Sequence, residues 1–526
     1  MGEERDGDSK QIFQMKKIAI LFILGFGLSS CEKYIDDAFL NPNAPTVAKP
    51  AKVLPAIIAN MSRGIQFDSR MLGRYVQYWT LTGAGSTWDR MGYDPNSDNG
   101  GEKWRTHYWN LGLNVINMMN DARAEGKPEY VGAGNAIMAW SWLALTDYHN
   151  EVILKEAFNT SALTFKYDTQ EEVYQTVATL CDSAITNFDR VGSVSEDFKV
   201  ADNFMNKGDI QKWKKFTYAV KAKMLHRYAL KSNYNPDEVI AAVNASLASA
   251  DDDIFITFNN GPASSADANF YGPRRNNLAS YRPTDLIIRY MDGNVFEGVN
   301  DPRKDYFFKP SADGVTRGVK TAAGEAAATP AARRTFNFFG FVSTAAPAGG
   351  VDTEARTYFK NDAPFPLITY SDMQFIKAEA AFRKGDRAMA LDAYRKGIKG
   401  NFDMLKKYFT GYTDFTEQQA TDYVNAVSPA SATALTISDI MIQKYIALWG
   451  HGFEETWVDL RKFQYSPEVY KTFEPPTNLF PDNFNKLVYR VRPRYNSEYL
   501  WNVEELTRIG GLNQDYHTIE PWFVKN

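Results

Sequence analysis

Over much of the chain, apolar residues recur at spacings of three and four, the period of amphipathic helices. From Val53 to about Ala250 this period dominates, most clearly over Tyr108–Arg123, Tyr130–Tyr148, Glu171–Arg190 and Trp213–Leu230. In the last of these, Trp213, Phe216, Val220, Met224 and Tyr228 share one face. Lys212, Lys215, Lys221, Lys223 and Arg227 lie mainly elsewhere, and that basic face is expected to be solvated and salt-bridged. The period resumes at Tyr370. There the stripes Met373–Ile376–Ala380 and Ala388–Leu391–Tyr394–Ile398 flank Lys384-Gly385-Asp386. A helix, a glycine turn and a second helix, with Ala378, Ala380 and Ala381 permitting close packing, predict a hairpin of tetratricopeptide type. Ile437, Met441, Tyr445 and Leu448 predict another helix, broken by Gly450 and Gly452, but no strict repeat period emerges.

Between the helical blocks the pattern changes. Asp253–Phe258 alternates and is β-rich, predicting a short strand. Ser311–Thr357 is rich in Ala, Gly, Thr and Pro with Phe336, Phe338, Phe339 and Phe341 at its centre, a long variable loop whose aromatic cluster suggests contact with a ligand or partner. Tyr465–Asn526 is rich in Pro, Asn and Tyr and is expected to wrap the helices. The expected fold class is therefore mostly α, with divergent helical hairpins, long irregular loops and minor β.

The chain's start carries a different signal. Lys16 and Lys17 precede a short apolar run, Ile18–Leu28, followed by Ser29-Ser30-Cys31. A basic region, a brief apolar region and small residues before a cleavage point describe a secretory signal peptide, here residues 15–30. The run is well short of the roughly 20 residues that span a bilayer as a helix. Leu28-Ser29-Ser30-Cys31 resembles a bacterial lipobox, which implies cleavage before Cys31 and its acylation, palmitate included. Each buried CH₂ of such chains contributes about 0.8 kcal/mol, so a multiply acylated Cys31 would hold the protein on a membrane. Residues 1–14 are acidic and polar, unlike the start of a signal peptide, and read as an extension ahead of a true start at Met15. Residues 31–50 read as a tether, with the Pro- and Asn-rich run Asn41–Pro45 favouring extended backbone. Residues 31–526 are expected to form a single domain, and no later segment is long and apolar enough to cross a membrane.

Composition narrows the chemistry. A net charge of -4 gives no basic field for nucleic acid. Cys181 lies on the apolar stripe of Val173, Val177, Leu180, Ala184 and Phe188 and reads as a small buried hydrophobe. His107, His149, His226, His451 and His517 are scattered without metal-ligand spacing; His451 with Glu454 is the nearest approach, and no cofactor is expected. Asp251-Asp252-Asp253 lacks the alternating ligands and glycine of a calcium loop and reads as a solvated turn. Gly83-Ala84-Gly85-Ser86 is not a nucleophile elbow, no phosphate loop occurs, and nothing selects a carboxylate pair for a glycosidase. The reading is of a binding protein, not an enzyme.

Aromatic residues are the compositional outlier at 14%, and they concentrate between Tyr75 and Trp109. This stretch holds Tyr75, Tyr78, Trp79, Trp88, Tyr93, Trp104, Tyr108 and Trp109, interleaved with Asp89, Arg90, Asn96, Asp98, Asn99 and Arg105. Sugars present apolar C–H faces to aromatic rings and hydroxyl edges to planar polar groups, so this mixture suits an oligosaccharide. Trp79 and Trp109 are expected in the core of flanking helices. Trp88, Tyr93 and Trp104, in or beside the loop from Gly83 to Gly101, are the candidate ligand contacts, with Asp89, Arg90 and Asn99 as their polar partners. Asn269, Phe270, Tyr271, Arg274 and Arg275 form a second loop cluster, from which Tyr271 and Arg275 join the candidate site.

Several segments in order carry a family resemblance: Asn41-Pro42-Asn43-Ala44-Pro45-Thr46, Leu145-Thr146-Asp147-Tyr148, Phe165-Lys166-Tyr167-Asp168-Thr169-Gln170-Glu171-Glu172-Val173-Tyr174, Gly208-Asp209 with Trp213-Lys214-Lys215-Phe216, and Asp301-Pro302-Arg303. They continue with Leu367-Ile368-Thr369-Tyr370, Gln374-Phe375-Ile376-Lys377-Ala378-Glu379-Ala380, Gln443–Gly450, Trp457-Val458-Asp459-Leu460-Arg461 and Arg494–Tyr499. Together, behind a lipobox, they resemble the SusD/RagB family of outer-membrane nutrient-binding lipoproteins, in its second SusD-like branch. The resemblance implies a helical scaffold with ligand-bearing loops and a SusC-type TonB-dependent barrel as partner, over which the protein sits as a lid. It further implies an outer-membrane location facing the cell exterior and an oligosaccharide ligand. A peptide-binding member of the family, a surface glycosidase and a scaffold that binds only the transporter are the alternatives. The family's ligand residues vary, so none carries over to a position here.

Overall fold

The apolar periods become seventeen helices among the described residues of the computed structural model, which are 48–93, 101–259 and 268–525. Cys31, Asn99, the signal peptide and most of the tether lie outside them. The helix α1 (Pro50–Tyr75) buries Leu54, Ile57, Ile58, Met61 and Ile65, one face at spacings of three and four. After β1 (Trp79–Leu81) come α2 (Glu102–Arg105), a π-helical segment (Thr106–Gly112) and α3 (Leu113–Ala124). Next are α4 (Pro128–His149), α5 (Gln170–Asp189), α6 (Glu196–Ala201), α7 (Ile210–His226) and α8 (Pro236–Ala245). Then follow β2 (Ile254–Ile256), β3 (Tyr281–Pro283), α9 (Asp285–Met291), α10 (Arg303–Phe307) and β4 (Phe365–Ile368). The chain continues through α11 (Tyr370–Lys384), α12 (Arg387–Tyr408), α13 (Glu417–Ala426), α14 (Ile437–Leu448) and α15 (Phe453–Lys462), and ends with α16 (Tyr495–Trp501) and α17 (Val503–Arg508). Residues from Pro50 onward pack as one compact unit.

Local chemistry fixes the helix ends. Thr169 and Glu172 form a capping box at the start of α5, each side chain bonding to the other's backbone N–H. Gly385 closes α11 at φ 88°, and Asp386 accepts from Met389 N to open α12, so the expected glycine turn joins the hairpin. In α7 the helix stops at His226 rather than Leu230, because Arg227 N bonds to both Lys223 O and Met224 O and tightens the last turn.

The two sheets are minimal. β1 pairs antiparallel with β3 (Thr80 opposite Arg282), and β2 pairs with β4 (Ile256 opposite Phe365). They tie the long connections to the helical body. Asp253, expected in a solvated turn, is instead buried and accepts from Tyr370 N at 2.6 Å, fastening β2 to the start of α11.

The basic face of α7 is not simply solvated. Arg227 is buried and clamps Glu455 of α15 through both Nη atoms (2.7 and 2.8 Å), while its Nε donates to Asp147 of α4 at 2.9 Å. Lys223 pairs with Asp372 of α11 at 2.7 Å, and Lys462 joins Glu379 and Asp459 at 2.6 and 2.9 Å. Burial alone would raise the Glu455 carboxyl, but the charges of Arg227, Lys223 and Lys444 outweigh it and hold Glu455 well below the usual carboxylate range. Ionic pairs of this kind contribute less to net stability than to fixing which helices meet, since removing one partner strands a buried charge.

The Ser311–Thr357 segment is held by buried polar side chains that serve its backbone. Arg282 donates to Thr335 O, Val342 O and Ser343 O, and Asn337 accepts from Phe339 N and Phe341 N. Its aromatic cluster points inward: Phe338 and Phe339 are buried, and Phe338 stacks on Phe359 at 4.3 Å. No helix among the described residues is long and apolar enough to cross a membrane.

Candidate functional site

The π-helical segment Thr106–Gly112 interrupts what the sequence predicts as an α-helix beginning at Tyr108. Its i→i+5 turns hold more residues than α-turns and rotate the apolar stripe, and such insertions are frequent at functional sites. His107 and Leu111 turn inward, while Trp109, expected in the core, projects into solvent with 73% of its surface exposed. Trp79, by contrast, is fully buried, with its indole N–H on Ser69 O.

Beside Trp109 opens a cavity of about 790 Å³. Trp104, Tyr108, Phe158 and Phe165 form its aromatic walls, and Asn110, Asn114, Arg105, Ser497 and Glu498 supply polar groups. Phe158 holds φ 65°, a costly conformation for a bulky residue, and packs against Tyr108 and Trp142. Tyr108 donates to Ile153 O at 2.7 Å; burial first, then the Glu498 charge, push its phenol well above the ordinary range, so it stays neutral. Glu498 accepts from Tyr167 Oη at 2.6 Å and from Asn502 Nδ2 at 2.9 Å. Asn502 also bonds both ways with the backbone of Phe165. The Phe165 wall and the α16 wall are thereby fixed to one another. Ser497 Oγ is buried at the cavity without a hydrogen-bond partner among the described residues, a group whose capacity a bound hydroxyl would satisfy. Trp501, four residues on along α16, is 72% exposed, on the helix face that Ser497 and Glu498 share.

The structure redistributes the residues singled out from sequence. Trp104 is buried to 3%, its face lining the cavity floor and its ring meeting His149 and Tyr108. Trp88 is half-buried, with the Arg74 guanidinium 5.2 Å from its ring centre. Asp89 is fully buried in an ion pair with Arg74 Nε at 2.6 Å. Arg90 donates to Asn478 O and Leu479 O and lies over Phe480. Tyr93 is buried against His517, and Tyr271 is buried between Trp79 and Phe359. Asp89, Tyr93 and Tyr271 are thus framework, because their polar atoms or rings are consumed by internal partners. Arg275 lines a separate cavity. Sequence reasoning gave Phe158, Phe165, Ser497 and Trp501 no place in the site; the adjacent Leu500-Trp501 pair in a polar segment, exposed in the structure, was the one available signal.

Among the described residues no group of three His, Cys, Asp or Glu is placed to hold a metal. Glu454 pairs with Lys103 at 2.6 Å, and His451 is buried. Cys181 is a free, buried thiol, and burial pushes it up to about 12, which keeps it protonated and inert.

Comparison with known proteins places this geometry in context. No protein of curated function matches the chain. Among solved structures, a SusD/RagB family protein from Bacteroides thetaiotaomicron is similar over 91% of this chain and 99% of its own, at 21% identity and a TM-score of 0.68. A chitin-binding protein covers 91% and 100% at 20% identity (TM-score 0.67), and a chitin-binding SusD homologue from Flavobacterium johnsoniae covers 91% and 99% at 17% identity (TM-score 0.65). Residues 42–486 match the model of a SusD-like family described as starch-binding and associating with the outer membrane. That match spans most of the sequence, and the chain belongs to the SusD-like family of outer-membrane nutrient-binding proteins.

Proposed function

We propose that the protein captures oligosaccharides at the outer cell surface, in the cavity beside Trp109, as the lid of a SusC-type TonB-dependent uptake complex to which an acylated Cys31 keeps it close. One observation carries the reading: an indole 73% exposed on a π-helical segment, over a large cavity walled by Tyr108, Phe158 and Phe165. Exposing so large an apolar ring has no folding benefit, and a sugar's C–H face would cover it. The amides of Asn110 and Asn114 and the unpartnered Ser497 hydroxyl offer the planar and hydroxyl groups that sugar edges need. Two solved relatives are named as chitin-binding, which supports a glycan. Capture of this kind needs no covalent step. Two or three rings, each contributing about 1.5–3 kcal/mol before ordering costs, suffice for micromolar to millimolar binding, weak enough for hand-over to a transporter.

The test is isothermal titration against an array-selected glycan. Trp109→Ala is expected to weaken binding at least tenfold with an unchanged melting temperature, since the ring packs on little. Unchanged affinity in Trp109→Ala and Trp501→Ala would remove the assignment. Retention of oligopeptides in place of glycans would point to a peptide-binding member of the family. Co-purification of the native protein with a TonB-dependent barrel tests the lid role separately.

A further inference from the structure

Between the start of α9, the loop residues Lys320–Ala323 and the run Glu474–Asn478 lies a further cavity, of about 250 Å³. Among the described residues it shares no wall with the cavity beside Trp109. Pockets for drug-sized ligands run from about 300 Å³ upward, so this one suits something the size of a single sugar ring. Its walls are held in place. Gln77 keeps left-handed backbone at φ 58°, with Tyr445 Oη and Thr284 Oγ1 both donating to its carbonyl. Ala322 does the same at φ 62°, its carbonyl accepting from Gly85 N at 3.0 Å. Such conformations are costly outside glycine and gather at ligand clamps. Pro475 and Pro476, each with φ fixed by its ring, add a rigid apolar surface.

Four charged side chains line the cavity, already joined in two pairs. Arg289 Nη1 donates to Asp285 Oδ2 at 2.7 Å, and Lys320 Nζ lies 3.3 Å from Glu474 Oε2. Neutral hydrogen-bonding capacity is left over. Arg289 gives one more N–H to Thr472 O at 3.1 Å, while its Nε is buried without a partner among the described residues. A guanidinium carries five N–H donors, so most of them remain. Thr321 is 8% exposed, and its hydroxyl is likewise buried without a partner among the described residues. A change of its χ1 rotamer re-aims that hydroxyl. Gln77 Nε2 donates to Glu474 O at 2.8 Å, which leaves its Oε1 as an acceptor. Buried polar groups are nearly always paired in folded proteins, so two orphans on the wall of one cavity mark a place where a ligand completes the bonding.

We propose that this cavity is a second sugar site, taking one neutral pyranose unit independently of the Trp109 cavity. Sugar hydroxyls both donate and accept. One ring can therefore offer a lone pair to Arg289, a proton to Gln77 Oε1 and either to Thr321, while its C–H face lies on Pro475 and Pro476. An extended peptide presents no such adjacent hydroxyls, and a carboxylate would meet a guanidinium that Asp285 already holds. A polysaccharide engaging both cavities would be held more tightly than by either alone.

The experiment isolates this site in the mature protein carrying Trp109→Ala and Trp501→Ala, which strip the other cavity of its exposed rings. Saturation-transfer NMR with the methyl glycosides of glucose, galactose, mannose, xylose and N-acetylglucosamine is expected to show at least one bound at millimolar concentration. Thr321→Val removes only an unpaired hydroxyl, so it is expected to weaken that binding about tenfold at an unchanged melting temperature. Thr477→Trp, at an exposed position on the rim, fills the cavity and is expected to abolish binding. Failure of every methyl glycoside to bind, or binding that survives Thr477→Trp, overturns the proposal. Tighter binding of the glucuronic acid glycoside or of dipeptides, lost in Thr477→Trp, also overturns it and reassigns the cavity. Trp109-dependent capture that persists while this site stays empty sinks the second site alone; sugar binding here without any Trp109-dependent capture supports it and sinks only the earlier reading.

Discussion

Gly112 and Phe158 meet at a distance no other residue at position 112 would allow: a Cβ built on Gly112 would lie 2.0 Å from Phe158 Cε1. Gly112 ends the π-helical segment that carries Trp109, and Phe158 forms the facing wall of the cavity, so this contact sets the width of the site. The positive φ of Phe158 belongs to the same arrangement, since the ring reaches Gly112, Tyr108 and Trp142 from a strained backbone.

Gly112→Ala is therefore expected to push Phe158 off its wall. Overpacking of this sort costs about 1–3 kcal/mol, and glycan affinity is expected to fall along with stability. Adding Phe158→Leu, which gives the new methyl room, is expected to restore the melting temperature more fully than it restores binding, because the wall's ring is then gone. Thermal unfolding and titration of the single and double variants check this. Recovery of both quantities together would separate Phe158 from the ligand.

The Arg74–Asp89 ion pair yields the opposite separation. Both side chains are buried, at 3% and 0% exposure, and Arg74 also reaches the Ser86 hydroxyl. Removing one member of such a pair strands the other charge and typically costs 3–5 kcal/mol. Asp89→Ala is expected to lower the melting temperature by several degrees while glycan affinity per folded molecule stays as it was. Asp89 stands in the loop that sequence reasoning offered to the ligand, so a selective loss of affinity at constant stability would return it there.

The difference between what the sequence disclosed and what it concealed follows from range. The α11–α12 hairpin was legible because its stripes, its left-handed glycine and its Asp386 cap are all local. Trp109 was misplaced because a π-helical register shift leaves no mark on an apolar pattern, and an indole beside a helical stripe reads as core. Asp89, in a turn, looked like a ligand group because its partner lies fifteen residues back in α1. Tyr93 depends on His517 and Tyr271 on Phe359, partners that no local pattern announces. Arg227 and Lys223 do form the salt bridges expected of that face, but their burial was hidden for the same reason: their carboxylate partners come from α4, α11 and α15. Aromatic density between Tyr75 and Trp109 did locate one wall of the cavity, but Phe158, Phe165 and α16 arrive from elsewhere in the chain.

Acylation at Cys31 is tested on its own terms. Metabolic labelling with a palmitate analogue is expected to mark the native protein, and Cys31→Ala is expected to abolish the label and release the protein from membranes. Since the body from Pro50 onward packs as one unit, the soluble variant is expected to keep the glycan affinity of the wild type. A label that persists in Cys31→Ala would place the lipid, or the anchor, on another residue.

His107 offers a pH test of the wall beneath Trp109. Its ring is fully buried, with Nδ1 paired to Ser141 Oγ at 2.7 Å and Nε2 without a partner among the described residues, and it packs 3.9 Å from the Trp142 ring centre. Burial, reinforced by the Lys103 charge, lowers it to about 3. The unfolded chain takes up this proton near pH 6.5, well before the folded one does, so ∂ΔG/∂pH for unfolding is positive across the interval. The stability that His107 contributes is thus full above pH 6.5 and is lost as pH falls toward 3. In His107→Gln that proton is absent, so wild type is expected to lose stability relative to the variant by about 1.4 kcal/mol per pH unit between pH 6 and 4. Denaturant melts of both proteins across that range supply the measurement. Parallel pH profiles would show that His107 titrates normally, and hence that the floor under the π-helical segment admits water.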